Sequence, residues 1–276
     1  MPDSEKMEPP SRLLLLSEAR AVIEYGAFLS SYSWFRTLPP GDGHPVMVLP
    51  GFVATDRSTH ALRSFLRNRG YAAHGWQLGR NLGLRRGLDE QTLARLHELR
   101  RRYGRKISLI GWSLGGVFAR ELAKRAPDDV RQVITLGSPF KGDMRANHAA
   151  ALYEMLAGHT VEHASRTLDL SVPPPVPTTA IYSRSDGIVH WQCCVEDEGP
   201  LSESIEVSSS HCGLGHHPAT LYVIADRLAQ PEGKWAPFER SGFRSLFFPA
   251  PHRGRRPGVP AASPAGVPAH SPAGAP

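Results

Sequence analysis

The chain has few of the features of a secreted or membrane-spanning protein. Its three cysteines, Cys193, Cys194 and Cys212, are an odd number without the spacing of a disulfide framework. The first ten residues carry three acidic side chains and one lysine, and the apolar run at 13–16 is only four residues long, which is unlike a secretory signal peptide. No stretch approaches the roughly 20 apolar residues that span a bilayer. We therefore expect a cytoplasmic protein without a transmembrane segment.

Acidic residues are absent from residues 241–276, and this absence explains most of the formal charge of +6. The four arginines of this segment supply +4, so the rest of the chain is close to neutral and no nucleic-acid-binding face is implied. Proline, glycine and alanine dominate the same segment, a composition that favours disorder. We expect a disordered basic tail at 241–276 and a disordered N-terminus at 1–10. Deletion of residues 243–276 is then expected to change thermal stability little.

Apolar runs alternate with amphipathic helical patterns in the middle of the chain, at residues 11–240. Strands are predicted at 46–49, 71–76, 107–110, 130–136, 179–182 and 204–207, and the main helices at 56–69, 93–103 and 218–228. Strands that alternate with helices form βαβ units, so the sheet is expected to be mostly parallel with helices on both faces. Right-handed crossovers then bring the carboxyl ends of the strands to one edge, where ligands bind.

Residues 11–35 precede this α/β region and contain many apolar and aromatic side chains. Ser11 is the expected N-cap of a helix that has Leu15, Ala19, Val22 and Ile23 on one face. A helix lying on a membrane surface is one interpretation. Packing against the main domain is the favoured one, because the polar side mixes acidic and basic residues.

The alternation of strands and helices is interrupted between Phe140 and Pro177. Leu152, Met155 and Leu156 give this region an apolar helical character, and three consecutive prolines stiffen the return. We expect a cap or lid insertion at about 141–177 that lies over the sheet edge. An ordinary crossover helix with a long exit loop is the alternative.

The motif with the clearest chemical meaning is Gly111-Trp112-Ser113-Leu114-Gly115, which follows a predicted strand and precedes a predicted helix. This is the G-x-S-x-G pattern in the context of a nucleophile elbow. The serine of such a turn has strained backbone angles, and the flanking glycines leave room for it. The amides that begin the following helix favour developing negative charge. Ser113 is therefore predicted to be a nucleophile at the sheet edge.

Four further segments extend the pattern beyond the elbow: Pro50-Gly51-Phe52, Leu136-Gly137-Ser138-Pro139, residues 185–189 and residues 211–214. With them, residues 40–230 resemble α/β-hydrolases of the lipase and esterase type. The resemblance implies the α/β-hydrolase fold and a triad in the chain order serine, acid, histidine. Ser113, Asp186 and His211 meet that order.

Other residues compete for two of these roles. Asp143 and Asp169 are rival acids inside the insertion, and Asp186 also fits a simple Asp-Gly turn. His216 and His217 are rival bases, although their position before Pro218 suits the start of a helix. The resemblance favours His211, because the family's histidine directly follows the last strand.

The resemblance also implies an oxyanion hole made by the amides of Phe52 and Leu114. Pro50 stands where many relatives have histidine, a departure of little consequence because the hole uses a later amide. Trp112 and Phe52, near the nucleophile, suggest a hydrophobic acyl group, as do the lid residues Leu152, Met155 and Leu156.

These features predict a serine hydrolase that cleaves carboxylic esters through an acyl-enzyme, with no cofactor and no metal. The expected partner is a small hydrophobic ester and not a nucleic acid, and peripheral membrane contact is left open. A zinc site built from the histidines and cysteines at 193–217 matches no known spacing. An acyltransferase that uses the same triad and a non-catalytic interaction protein with this fold are the alternatives.

Overall fold

The computed structural model describes residues 8–83, 85, 87–142, 148, 170–197 and 199–250. Several predicted features lie outside these ranges: the lid residues Leu152, Met155 and Leu156, the rival acids Asp143 and Asp169, and the end of the tail at 251–276. The lid and its contacts with substrate therefore stay predictions.

Six parallel strands form one sheet within the described ranges. They are β1 Pro45–Leu49, β2 Ala72–Gly75, β3 Ile107–Trp112, β4 Val130–Leu136, β5 Thr178–Tyr182 and β6 Ser202–Glu206. Their order across the sheet is β2-β1-β3-β4-β5-β6. The order changes direction between β1 and β3, and ligands of open α/β sheets bind beyond the carboxyl ends of the strands at such a point.

Helices cover both faces of this sheet, as the alternating pattern predicted. They are α1 Arg12–Ser17, α2 Ala21–Ser30, α3 Tyr32–Phe35, α4 His60–Asn68, α5 Leu88–Tyr103, α6 Leu114–Arg125 and α7 Pro218–Leu228. Alternate residues of β1 point to opposite faces. Val46 and Val48 pack with residues of α2, α3, α4 and α7, whereas Met47 and Leu49 pack with residues of α5 and α6.

The helix expected from residue 56 begins four residues later, at His60. The Asp56 carboxylate accepts hydrogen bonds from the amides of Trp76 and Gln77, each at 3.1 Å. Asp56 therefore ties this loop to the end of β2, and its side chain is not used to begin the helix.

The N-terminal helices pack on the main domain, but not through the face that the apolar pattern suggested. Ser11 caps α1 as expected, with its hydroxyl accepting from the Leu14 amide at 3.3 Å. Leu15, Ala19, Val22 and Ile23, however, are exposed. The buried contacts are made instead by Glu24, Phe28 and Phe35. The reason lies in the loops beneath, which offer hydrogen-bond donors, as described below.

The ordered body also extends past the predicted boundary at residue 240. A 3₁₀ helix, Gly242–Leu246, follows that boundary, and Phe248 is only 4% exposed. The Phe248 ring stacks on Tyr222 at 5.6 Å between centroids and meets Phe238 edge-on at 5.0 Å. At the other end Pro10 is buried as well. The predicted domain boundaries at residues 10 and 240 therefore leave out residues that pack on the domain. Composition alone does not predict the burial of a single aromatic ring in a segment rich in proline and glycine.

Because Phe248 is packed, the expectation that deletion of residues 243–276 has little effect is revised. Truncation of the chain after Gly242 should lower the free energy of unfolding by about 2 kcal/mol, the value of burying one phenylalanine side chain. For a domain of this size the melting temperature falls by roughly 5 °C. Truncation after Ala250 is the matched control, because it keeps Phe248 and should leave the melting temperature nearly unchanged. Equal melting temperatures for the two truncated proteins would show that the aromatic contact contributes nothing.

In the part of the chain that the structure describes, every helix is too short or too polar to cross a bilayer.

Candidate active site

Ser113 lies in a sharp turn between β3 and α6, at the switch point of the sheet. Its φ of 53° and ψ of −125° are strained for a residue with a side chain, and such strain is concentrated at functional sites. The Ser113 amide donates to the Leu136 carbonyl at 2.8 Å, which ties the turn to the end of β4. A Cβ at Gly115 would overlap the Leu49 carbonyl, and one at Gly111 would overlap Gly115. The flanking glycines are thus required by close packing, as a nucleophile elbow demands.

Asp186 and His211 form a buried hydrogen-bonded pair beyond the ends of β5 and β6. His211 Nδ1 and Asp186 Oδ2 are 2.6 Å apart, and the residues are 5% and 3% exposed. The second carboxylate oxygen, Oδ1, accepts from the amides of Ile188 and Val189, both at 2.8 Å. The loop therefore holds the carboxylate in one orientation, with the other oxygen directed at the imidazole.

Two contacts connect this pair with the elbow. The Trp112 indole nitrogen, next to Ser113 in sequence, donates to the His211 carbonyl at 3.1 Å. A Cβ at Gly137 would lie 3.1 Å from both His211 Nδ1 and Asp186 Oδ2. Gly137 directly follows Leu136, whose carbonyl accepts the Ser113 amide. The ends of β3, β4, β5 and β6 thus converge on one edge of the sheet. That Ser113, His211 and Asp186 act together as a catalytic triad stays a prediction.

The pKa of the His211 imidazole reflects opposing effects. Burial lowers it, but the negative charge of Asp186 and the hydrogen bond to Asp186 raise it, with a further contribution from Glu18 on the N-terminal segment. The net result is a pKa above the ordinary value of histidine. The surroundings of this ring therefore stabilise the imidazolium that forms when the ring takes a proton.

The two rival histidines have other partners. His217 caps α7, with its Nδ1 accepting from the Ala219 amide at 3.2 Å. His216 donates from Nε2 to the Ala21 carbonyl at 3.1 Å, and its ring meets Tyr25 edge-on. Burial lowers the pKa of both rings. These contacts give the two rings roles in helix capping and packing, whereas Asp186 is paired with His211.

The loop that contains Phe52 is held by Asn81, a residue that no sequence pattern singles out. Asn81 is completely buried, and its side-chain amide donates to the Pro50 carbonyl at 2.9 Å. The Asn81 carbonyl accepts from the amide of Val53, a β-branched residue at a φ of 53°. Asn81 lies in a glycine-rich loop without periodicity, so only its buried contacts reveal this role. It fixes the loop that would present the Phe52 amide.

Two other predicted site residues flank Ser113. Leu114 begins α6, and its side chain packs with Phe140 and Leu170. Trp112 is half-buried, and a Cβ at Gly215 would lie 3.0 Å from its indole. Since the indole packs against the histidine loop, its contact with an acyl group stays a prediction. Among the described residues, no group of three histidine, cysteine or acidic side chains could hold a metal ion.

Comparison with known proteins adds a family model and several solved structures. Residues 45–172 match the family model described as palmitoyl protein thioesterase, and no curated protein matches the chain in sequence. Lipase B of Aspergillus fumigatus superposes with a TM-score of 0.53 at 16% identity, over 72% of this chain and 56% of the lipase. This chain therefore spans little more than half of that enzyme.

Two smaller enzymes are covered almost completely. The lipase BlEst2 of Bacillus licheniformis gives a TM-score of 0.52 at 17% identity, over 68% of this chain and 94% of that one. The pyrethroid hydrolase PytH gives 0.50 at 17% identity, over 69% and 99%. At these identities the similarity is one of fold.

Proposed function

This chain has the α/β-hydrolase fold that its motifs predicted, and from this premise we propose that it is a serine hydrolase of carboxylic esters with a hydrophobic acyl group. The observation that carries the proposal is the buried His211–Asp186 pair beside the strained Ser113 turn. A serine with a purely structural role in a turn would not need a buried histidine–carboxylate pair beside it. A base oriented by a carboxylate at the same sheet edge is what a serine nucleophile requires.

The proposed reaction proceeds through an acyl-enzyme. Ser113 Oγ attacks the acyl carbonyl carbon while His211 takes the hydroxyl proton and Asp186 stabilises the imidazolium. The amides of Phe52 and Leu114 donate to the oxyanion that develops on the carbonyl oxygen. His211 then returns the proton to the leaving alcohol. In the second half, His211 deprotonates a water molecule, which attacks the acyl carbon; the bond to Ser113 Oγ then breaks, His211 returns the proton to Oγ, and the acid is released.

Thioesters belong to the proposed substrate class alongside oxygen esters. The match to the palmitoyl protein thioesterase model covers the elbow and the Phe52 loop, and the same triad chemistry cleaves either bond. The apolar residues predicted to line the acyl site are Trp112, Leu152, Met155 and Leu156. A long acyl chain is therefore the favoured form of either substrate.

The test is turnover of p-nitrophenyl esters of increasing acyl length, with acyl thioesters of matched length measured in parallel. We expect kcat/KM to increase from acetyl to longer acyl chains, and a fluorophosphonate probe to label Ser113. Failure of both labelling and turnover would favour the non-catalytic interaction protein. Transfer of the acyl group to an added alcohol in preference to water would identify an acyltransferase.

Replacement of Asp186 by asparagine is expected to lower kcat by roughly 10⁴-fold, because the amide no longer holds the imidazole in the required tautomer. Asp197→Asn is the matched control, since Asp197 is an exposed partner of Lys141. It should retain nearly full activity. If Asp143→Asn or Asp169→Asn caused the large loss instead, the acid would belong to the insertion.

We further propose a cytoplasmic location. The chain has three cysteines, an odd number without the spacing of a disulfide framework, and Cys193 and Cys194 are buried. Proteins of oxidising compartments more often use their cysteines in disulfides.

A further inference from the structure

The helical segment at residues 12–30, called here the N-terminal brace, lies on the two loops that carry Asp186 and His211. It consists of α1, a single 3₁₀ turn Glu18–Arg20, and α2. Its charged side chains beyond Arg12 are Glu18, Arg20 and Glu24. All three make hydrogen bonds with these loops, whereas neighbouring apolar side chains such as Val22 and Leu13 are 78% exposed.

Glu18 joins the acid loop to the histidine loop through one carboxylate. Its Oε1 accepts from the Gly187 amide at 2.8 Å and from the His211 amide at 2.9 Å. Its Oε2 accepts from the Cys212 amide at 2.9 Å. Gly187 is adjacent to Asp186 in sequence, so the carboxylate fixes the backbone on both sides of the Asp186–His211 hydrogen bond.

The other two charged residues extend the same contact. Glu24 accepts from the Ser210 amide at 2.9 Å and from the hydroxyls of Ser210 and Ser209. Arg20 donates to the carbonyl and hydroxyl oxygens of Ser185, at 2.7 and 2.9 Å. Arg20 and Glu24 also pair with each other at 3.3 Å. The brace therefore binds both loops along their length.

Two glycines in these loops are explained by the brace. A Cβ at Gly187 would overlap the Leu14 carbonyl of α1, and a Cβ at Gly213 would overlap the Glu24 carboxylate. Neither glycine has a positive φ. Their lack of a side chain is thus a requirement of close approach by the brace, rather than of a turn.

We propose that Glu18 is a positioning residue, which sets the distance and orientation of His211 relative to Asp186 by binding the backbone of both loops. This inference rests on the proposed function. A role confined to stability does not account for the arrangement, because burying the Glu24 carboxylate and turning that of Glu18 to the loops, while leucine, valine and isoleucine are exposed, costs hydrophobic burial. The cost is understandable if the loops must be held in one geometry.

Glu18 also has an electrostatic effect on the base. Its negative charge, added to that of Asp186, contributes to raising the pKa of His211 against the effect of burial. Partial desolvation of the thiol and the negative charge of Glu18 raise the pKa of Cys212 to about 12, so this neighbouring thiol stays neutral although the residue as a whole is exposed. Glu24 and Arg20 of the brace are further charged groups in contact with the two loops, and Arg184 stands on the acid loop itself, over the Trp191 ring. Removing the Glu18 charge should therefore lower the pKa of His211.

The first experiment compares ester hydrolysis by Glu18→Ala, Glu18→Gln and the wild-type protein. Alanine removes all three acceptor contacts, and we expect kcat to fall by roughly 10²-fold with KM little changed, because small displacements of a catalytic group have effects of this size. Glutamine keeps one acceptor oxygen and should recover part of the loss. The matched control is Glu98→Gln, which neutralises an exposed carboxylate paired with Arg95 on α5 and should leave kcat unchanged.

The second experiment measures the His211 pKa by NMR titration of the imidazole in the wild-type, Glu18→Gln and Glu98→Gln proteins. Base catalysis requires neutral His211, so activity is lost as the pH falls through this pKa. We expect a lower His211 pKa in Glu18→Gln only, together with a shift of the acidic limb of the kcat/KM profile to lower pH. An unchanged pKa and unchanged kcat in a folded Glu18→Gln protein would overturn the proposal.

The two proposals fail in different ways. A wild-type protein without turnover or labelling, but with a His211 pKa that depends on Glu18, would overturn the hydrolase assignment and support the brace. A wild-type protein with turnover, but with no response to either Glu18 variant, would do the reverse.

Discussion

Replacement of Ser113 by alanine is expected to reduce kcat for ester hydrolysis by about 10⁴-fold or more and to abolish fluorophosphonate labelling. The physical reason is that Ser113 carries its hydroxyl on the strained turn beside the amides proposed to bind the oxyanion, where the proposed acyl-enzyme forms. Thermal unfolding should change little, since the variant removes one oxygen atom from a half-buried position. The exposed Ser58→Ala is the matched control, with full activity and labelling expected.

The backbone strain at Ser113 supplies an independent check. Alanine keeps a Cβ at a φ of 53°, whereas glycine adopts positive φ without this penalty. Ser113→Gly should therefore be inactive, yet more stable than Ser113→Ala by about 1 kcal/mol. A well-folded Ser113→Ala protein that keeps most of its activity would rule out Ser113 as the nucleophile.

Replacement of His211 by alanine is expected to be nearly as damaging as loss of the serine, again about 10⁴-fold or more in kcat. His211 is the histidine paired with Asp186, at 2.6 Å, and its raised pKa favours proton uptake. Without it, the serine hydroxyl has no base and Asp186 is left as a buried carboxylate. The measurement is kcat against the best p-nitrophenyl ester, with folding checked by circular dichroism.

The neighbouring histidines provide the controls for this variant. His217→Ala should keep most of the activity and lose about 1 kcal/mol of stability, because it removes the cap of α7. His216→Ala should have a mild effect through its contact with Ala21 on α2. A large loss of activity in either control, with His211→Ala still active, would transfer the role of base to that residue.

The elbow was predictable from sequence because its requirements are local. A serine in a sharp turn needs glycines at fixed positions, a strand before it and a helix after it, and all of these are properties of a few adjacent residues. The strands were predictable for a similar reason: β1, which is buried on both faces, is continuously apolar, and β4 was predicted with the bounds that the structure has, 130–136. The parallel direction of the strands and the position of their carboxyl ends at one edge then followed from the rules for connections between strands.

Prediction from sequence failed where segments that are distant in the chain contact each other. An apolar stripe at Leu15, Val22 and Ile23 suggested the buried face of the N-terminal helices, but the tertiary structure turns Glu18 and Glu24 inward. Periodicity records which residues share a face and cannot record what that face meets. Here it meets loops with unpaired backbone amides, and carboxylates satisfy those donors as leucine and valine cannot.

The sequence by itself determined the sharp turn at Ser113, the order of the strands along the chain and the short list of candidate acids and bases. Only the tertiary structure paired His211 with Asp186, engaged His216 and His217 elsewhere, and brought Glu18 and Asn81 to the loops that carry the site. Glu18 is separated from His211 by 193 residues. A contact between a carboxylate and an amide so far apart in the chain produces no sequence pattern that would predict it. Whether the two groups meet depends on the packing of the elements between them.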